Sequence, residues 1–171
     1  MLNETRFDRA FAVVLGHEGG YQALPQDRGN YTPGGLLKGT KWGISARSYP
    51  DLDIKNLTQA QAKQIYRADF WNKYYDLLKS EELAIKVFDF GVNAGPKRAV
   101  QCLQRAIAAS GKSVVVDGVM GPNTTHLANS IDSERLVQAF KDQILIHYKR
   151  VVSNDPTQAV FANGWKKRAN A

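Results

Sequence analysis

The sequence predicts a mainly α protein with a small β or irregular region after the first helix and a helical second lobe. Three observations carry this. Apolar residues recur at helical spacing near the N-terminus, at Phe7, Ala10, Phe11, Val14 and Leu15. Glycine and proline then crowd residues 20–43, which hold Gly29, Gly34, Gly35, Gly39, Gly43, Pro25 and Pro33. From Ile44 onward the pattern reads as helical, punctuated by start and stop signals.

The first helix is expected to open with Asn3 as N-cap and to end at Gly19-Gly20. Glu18 falls eleven residues after Phe7, about three turns at 3.6 residues per turn, and so lies on the apolar side at the helix end. Short strands or a hairpin around a long loop suit residues 20–43. Thr58-Gln59-Ala60-Gln61 has capping-box form and starts a helix carrying Ala62, Ile65 and Tyr66. Ser80 to Gly91 places Leu83, Ala84, Val87 and Phe88 on one face. Pro96 opens the next helix and Gly111 closes it, with Ala99, Leu103, Ala106 and Ile107 inward. Val114-Val115-Val116-Asp117-Gly118 is a brief extended piece and turn, and Gly121-Pro122 starts a short helix. Ser133 is expected to cap a long helix running to about Val152. Asp155-Pro156 begins a last segment that ends in the basic run Lys166-Lys167-Arg168.

Composition narrows the function. At 171 residues and 43% apolar content, the chain can build one domain or two small lobes. The longest apolar run, Ala10 to Leu15, is six residues. A spanning helix needs about 20, so no stable membrane insertion is expected. The N-terminus has neither a basic n-region nor an apolar h-region, so no signal peptide is read there. Cys102 is the single cysteine, which excludes an intramolecular disulfide and zinc sites with two or more cysteine ligands. His17, His126 and His147 form no HExxH pattern, and no metal or other cofactor is expected. Ser45 lacks a Gly-x-Ser-x-Gly setting, so a serine hydrolase has no support.

The net charge of +7 is uneven. Residues 1–85 hold eleven basic and ten acidic side chains, whereas residues 86–171 hold twelve and six. A basic half suits a polyanionic partner: nucleic acid, an acidic membrane face or a bacterial envelope polymer. The positive residues are dispersed and no nucleic-acid motif occurs, so nucleic acid is not expected.

Two carboxylates stand out. Burial on an apolar face and the negative end of a helix dipole both disfavour a charged Glu18, as a general acid requires. A simple cap or a pair with Arg28 is the plainer alternative. Asp27 follows nine residues later in a polar, Gly-rich turn. One carboxyl in an apolar setting and one in a polar loop suit glycoside hydrolysis, although an Asp in such a turn is common for local reasons. Tyr21, Trp42 and Tyr66 are candidates to stack on sugar faces, or else core residues. Asn93 either faces a cleft or caps a helix before Gly95.

His17-Glu18-Gly19-Gly20-Tyr21, Asp27-Arg28-Gly29 and Thr40-Lys41-Trp42-Gly43-Ile44 together resemble glycoside hydrolase family 108, phage and prophage endolysins with a lysozyme-like α+β fold. The resemblance puts the essential glutamate on Glu18, with Asp27 and a threonine completing the site. Thr32 keeps the family's spacing of five from the aspartate, but its flank does not fit. Thr40 has the fitting flank, which makes Asn30 to Gly39 an inserted loop and Thr40 the preferred residue. Farther on, Phe88-Asp89-Phe90-Gly91-Val92-Asn93-Ala94-Gly95-Pro96 and Val116-Asp117-Gly118-Val119-Met120-Gly121-Pro122 resemble the predicted peptidoglycan-binding region that accompanies that catalytic half.

The resemblance implies a lysozyme-like catalytic lobe at 1–85 and a helical peptidoglycan-binding-like lobe at 86–171, packed as one compact unit. It implies an N-acetylmuramidase that cuts the β-1,4 bond between N-acetylmuramic acid and N-acetylglucosamine, acting on peptidoglycan glycan strands as a monomer. Without a signal, such a protein is made in the host cytoplasm and reaches the periplasm and wall through a phage holin. A lytic transglycosylase and a non-catalytic wall-binding module are the alternatives.

Overall fold

The computed structural model describes residues 4–17 and 19–171. Seven α-helices and one two-stranded sheet are described: α1 Arg6–His17, β1 Thr40–Lys41, β2 Ile44–Ser45, α2 Gln59–Asp69, α3 Glu81–Ala94, α4 Pro96–Ala109, α5 Pro122–Asn129, α6 Ser133–Asn154 and α7 Ala162–Asn170. This is the mainly helical, lysozyme-like α+β arrangement that the sequence predicts. The chain divides into two compact units, Phe11–Trp71 and Met1–Ala10 with Asn72–Ala171.

In Phe11–Trp71 the core is aromatic. Tyr66 is fully buried, with Phe11 at 5.7 Å and Phe70 at 5.3 Å between ring centroids. Val14, Ile44, Ile54, Leu57 and Ala62 complete it. Helix α2 starts where the capping box places it: Thr58 Oγ1 accepts from Gln61 N–H, and the Gln61 side chain accepts from Thr58 N–H.

The glycine-rich stretch is a set of nested turns. Strands β1 and β2 pair antiparallel, Lys41 opposite Ile44, around a two-residue tip. Both tip residues have positive φ, Trp42 at 47° and Gly43 at 75°, as a type I′ hairpin demands. Upstream, Gln22 pairs with Thr40 through two backbone bonds of 2.9 and 2.8 Å. The excursion from Asn30 to Gly39 closes on itself. Tyr31 bridges Leu37, and the N–H groups of Lys38 and Gly39 both reach Asn30 C=O at 2.9 Å. At its base Gly39, with φ 87°, lies so close to Gln22 that a Cβ would sit 2.5 Å from the Gln22 carbonyl oxygen.

The larger unit packs α3, α4 and α6 around Val87, Phe88, Leu103, Ile107, Leu136 and Phe140. Cys102 is a free, buried thiol within this core. Arg9 clasps Glu81 with two bonds of 2.7 and 2.8 Å, and Arg6 donates to the carbonyls of Tyr75 and Leu78. Gly95, at φ 94°, turns the chain between α3 and α4, and Pro96 then occupies the first position of α4. The buried side chain of Gln104 clamps the Asp117-Gly118 turn. Its amide donates to Asp117 Oδ1 at 2.8 Å, and its carbonyl accepts from Gly118 N–H at 2.8 Å.

Two sequence expectations change, and a third falls on a residue that is not described. Helical structure does not begin at Ile44, because Ile44 and Ser45 form β2 and turns run on to Thr58. The long helix is capped by Asp132, whose carboxylate accepts from Arg135 N–H, and it continues to Asn154. At the first helix Asn3 lies outside the described residues, while Thr5 and Asp8 exchange bonds one turn later, Thr5 N–H to Asp8 at 2.7 Å and Asp8 N–H to Thr5 Oγ1 at 3.2 Å.

Candidate active site

The polar cluster of the smaller unit is built on two amide side chains. Asp27 caps the short 3-10 turn Arg28–Asn30, its Oδ1 accepting from Gly29 N–H at 2.8 Å. Its other oxygen accepts from Gln22 Nε2 at 3.1 Å. The same Gln22 nitrogen reaches Asn30 Oδ1 at 3.1 Å, and Asn30 Nδ2 returns a bond to Gln22 Oε1 at 2.8 Å. Thr40 donates its hydroxyl to Asn30 Oδ1 at 2.7 Å. Asn30 is fully buried, and Leu24 C=O takes its remaining amide hydrogen at 3.0 Å.

The consequence is chemical. A hydroxyl has one proton to donate and two lone pairs to accept with. Thr40 has committed its proton inward to Asn30, so its oxygen is left as an acceptor. Asp27 is exposed and acceptor-only when ionised. The cluster thus offers two acceptors on one rigid amide scaffold, the arrangement that suits a water or sugar hydroxyl giving up its hydrogens.

Thr32 has a different place. Its Oγ1 accepts from Leu36 N–H at 3.1 Å and its backbone pairs with Leu36 and Gly35, which makes it a turn residue of the excursion. Glu18 lies outside the described residues. Its neighbour Gly19 accepts from Trp42 N–H at 3.1 Å.

The expected sugar-contacting residues separate. Tyr21 is 41% exposed and borders a concavity of about 360 Å³ with Lys38, Asp51, Asp53 and Lys55. Trp42 is half-buried at the strained hairpin tip, with the Lys41 amine 4.7 Å from its ring centroid. Tyr66 offers no face to a ligand, since it is fully buried; its hydroxyl donates to Trp42 C=O at 2.7 Å and so props the tip. Asn93 is an exposed residue of α3 in the other unit, and its Oδ1 accepts from Tyr148 Oη at 2.8 Å. Burial pushes the Tyr148 hydroxyl up to about 12, which keeps it protonated as that donor.

Gln22 and Asn30 are the residues sequence reading missed. Each looks like a loop polar residue, and only the folding of the loop onto itself turns them inward. Among the described residues no group of three or more His, Cys, Asp or Glu side chains could hold a metal ion. No described helix is long and apolar enough to cross a membrane.

A mainly helical chain with a small hairpin, and a polar cluster of Gln22, Asp27, Asn30 and Thr40 beside it, fits a lysozyme-like glycoside hydrolase. Residues 11–95 match the family Glycosyl hydrolase 108, and residues 98–170 match the Predicted Peptidoglycan domain. Residues 11–95 thus form a glycosyl hydrolase family 108 domain followed by that second domain, and the two matches together support a glycosidase acting on peptidoglycan. Among solved structures it is similar to Brucella abortus SagA, at 29% identity and a TM-score of 0.73 over 96% of this chain and 89% of that one. No curated protein matches the sequence.

Proposed function

We propose that the chain is an N-acetylmuramidase that hydrolyses the β-1,4 bond between N-acetylmuramic acid and N-acetylglucosamine. Glu18 is the proton donor. It protonates the glycosidic oxygen as the bond to the anomeric carbon breaks, and positive charge develops on the sugar ring. Asp27 and Thr40 accept the two hydrogens of a water, turning its lone pair toward that carbon. Asp27 takes the proton the water loses on attack. Asn30 and Gln22 are positioning residues, because they hold both acceptors without touching the water.

The observation that carries this reading is the commitment of the Thr40 proton to Asn30. It supports Thr40 over Thr32 as the site threonine, and water activation over simple sugar binding. We assign the catalytic role to residues 1–85 and wall binding to 86–171. The family resemblance supports a phage or prophage endolysin, monomeric, made in the host cytoplasm and released to the wall by a holin.

Mass spectrometry of fragments from purified peptidoglycan tests the chemistry. A muramidase leaves reducing N-acetylmuramic acid with one water added. A 1,6-anhydro end would replace this reading with a transglycosylase, and intact glycan would reduce the protein to a binder.

A further inference from the structure

The C-terminal unit carries a groove that the glycosidase chemistry does not use. It lies between α6 and the start of α7, encloses about 430 Å³, and is lined by Leu145, Tyr148, Lys149, Val152, Ala162 and Lys166. That size falls within the usual range for small-ligand sites, about 300–1,000 Å³. One wall is stiffened from behind: Trp165 stacks on Tyr148 with centroids 4.7 Å apart and planes 10° from parallel. Phe161, 52% exposed, packs on Trp165 at 5.7 Å.

The lining has a particular chemistry. It is aliphatic and aromatic, and its charges are two amines, one from each helix. Neither Lys149 nor Lys166 has a carboxylate partner among the described residues. A ligand filling this groove therefore brings small apolar groups and anionic charge. A glycan strand is a poor fit, since its ring hydroxyls need converging polar groups that the lining lacks. The peptide stem of peptidoglycan fits better: a short run of alanine methyls with free carboxylates. We propose that this groove binds the peptide stem, with the apolar floor taking alanine side chains and Lys149 and Lys166 pairing carboxylates. The proposal rests on the reading of peptidoglycan as substrate. It adds that the second unit reads the peptide, while the first acts on the sugar.

The test uses the full chain and three probes: an N-acetylated L-Ala–D-Glu–L-Lys–D-Ala–D-Ala stem, chitotetraose, and vesicles of anionic phospholipid. Calorimetric titration is run at low and high salt on wild type, on Lys149→Gln with Lys166→Gln, and on Val152→Glu. The stem should bind wild type, and each variant should lose about tenfold, equivalent to about 1.4 kcal/mol. Wild-type binding should weaken with salt as the lysines are screened. The variants should keep wild-type hydrolysis of short soluble glycan, which shows that they are folded. Unchanged stem binding in both variants overturns the proposal. So does chitotetraose binding that the variants lose, which would make the groove a sugar site, or vesicle binding without stem binding, which would make it a lipid-facing surface. Hydrolysis of the wall without stem binding removes this proposal alone. Stem binding without release of reducing ends removes the muramidase reading and leaves the groove assignment standing.

Discussion

Thr40 and Thr32 differ in what their hydroxyls are for. Thr32 accepts a backbone N–H and closes a turn, whereas Thr40 gives its proton to a fully buried amide and keeps its lone pairs for something else. Thr40→Val should therefore reduce turnover on peptidoglycan far more than Thr32→Val, with both proteins folded by circular dichroism. Equal losses would remove Thr40 from the site. Asn30→Leu keeps roughly the same volume but leaves the Thr40 proton and the Leu24 carbonyl without their Asn30 partner, and takes one of two bonds from each polar atom of the Gln22 side chain. It should destabilise the protein by about 1–3 kcal/mol, the usual cost of leaving buried polar groups unpaired, and lower activity as well. Denaturant melts and turnover of the same sample would show both. Glu18→Gln should fold normally and lose about 10²–10⁴-fold in rate, since glutamine cannot give the proton. A folded variant that retains a tenth of the wild-type rate, roughly one order of magnitude short of this loss, would exclude Glu18 as the donor.

Elements were legible wherever a local signal fixed their ends. The Thr58/Gln61 box, Ser80 before α3, Pro96 at the start of α4 and Gly121-Pro122 before α5 are local chemistry, and each helix starts where its signal lies. Thr58→Ala should cost about 1 kcal/mol in a urea melt, the worth of one such cap. Misreadings occur where neighbouring signals compete or structure is non-local. Asp132 and Ser133 are both good caps, and the carboxylate wins. Ile44 looks like the start of a helix, yet pairing with Lys41 makes it a strand. The candidate site was half legible. Asp27 and Thr40 sit in recognisable motifs, but Gln22 and Asn30 acquire their role only through bonds to residues that the loop brings back. Gln104 is another such case, an amide in a helix whose purpose is a turn thirteen or more residues away. Gln104→Met should cost about 1–3 kcal/mol by orphaning the Gly118 N–H and one Asp117 contact. The terminal basic run also divides on inspection. Arg168 is no solvated charge, since it binds Asp89 at 2.8 and 3.0 Å in a largely buried pair, so only Lys166 and Lys167 of that run are candidates for contact with the wall.

At the scale of the whole molecule, charge bears both on what the protein can bind and on how its stability depends on pH. The excess of basic residues in 86–171 suits an anionic polymer, and retention on purified sacculi should fall with salt because exposed charges are screened over about 10 Å at 0.1 M. The same molecule ties its acids into local bonds. The carboxyls of Glu81, Asp117, Asp53 and Asp155 are all held below the usual range, by Arg9, by Val119 N–H, by the Asn56 amide and by the Thr157 hydroxyl respectively. His147 is displaced downward too, first by burial and then by Arg98, Arg150 and Arg105. For every one of these groups the unfolded chain takes up a proton at a higher pH than the folded one. Stability is thus greatest above the unfolded value and declines as pH falls through the folded one. Two stages follow. The first begins below about pH 6.5, where an unfolded histidine protonates and His147 resists; the second begins below about pH 4, where the carboxyls do the same. His147→Phe keeps an aromatic ring against Phe90, 5.5 Å away, and cannot titrate. In urea melts at pH 8, 6, 5 and 3.5, roughly bracketing both stages, this variant should lose the first decline and keep the second. If wild type and variant fall in parallel between pH 8 and 5, roughly the histidine window, the early loss does not arise at His147.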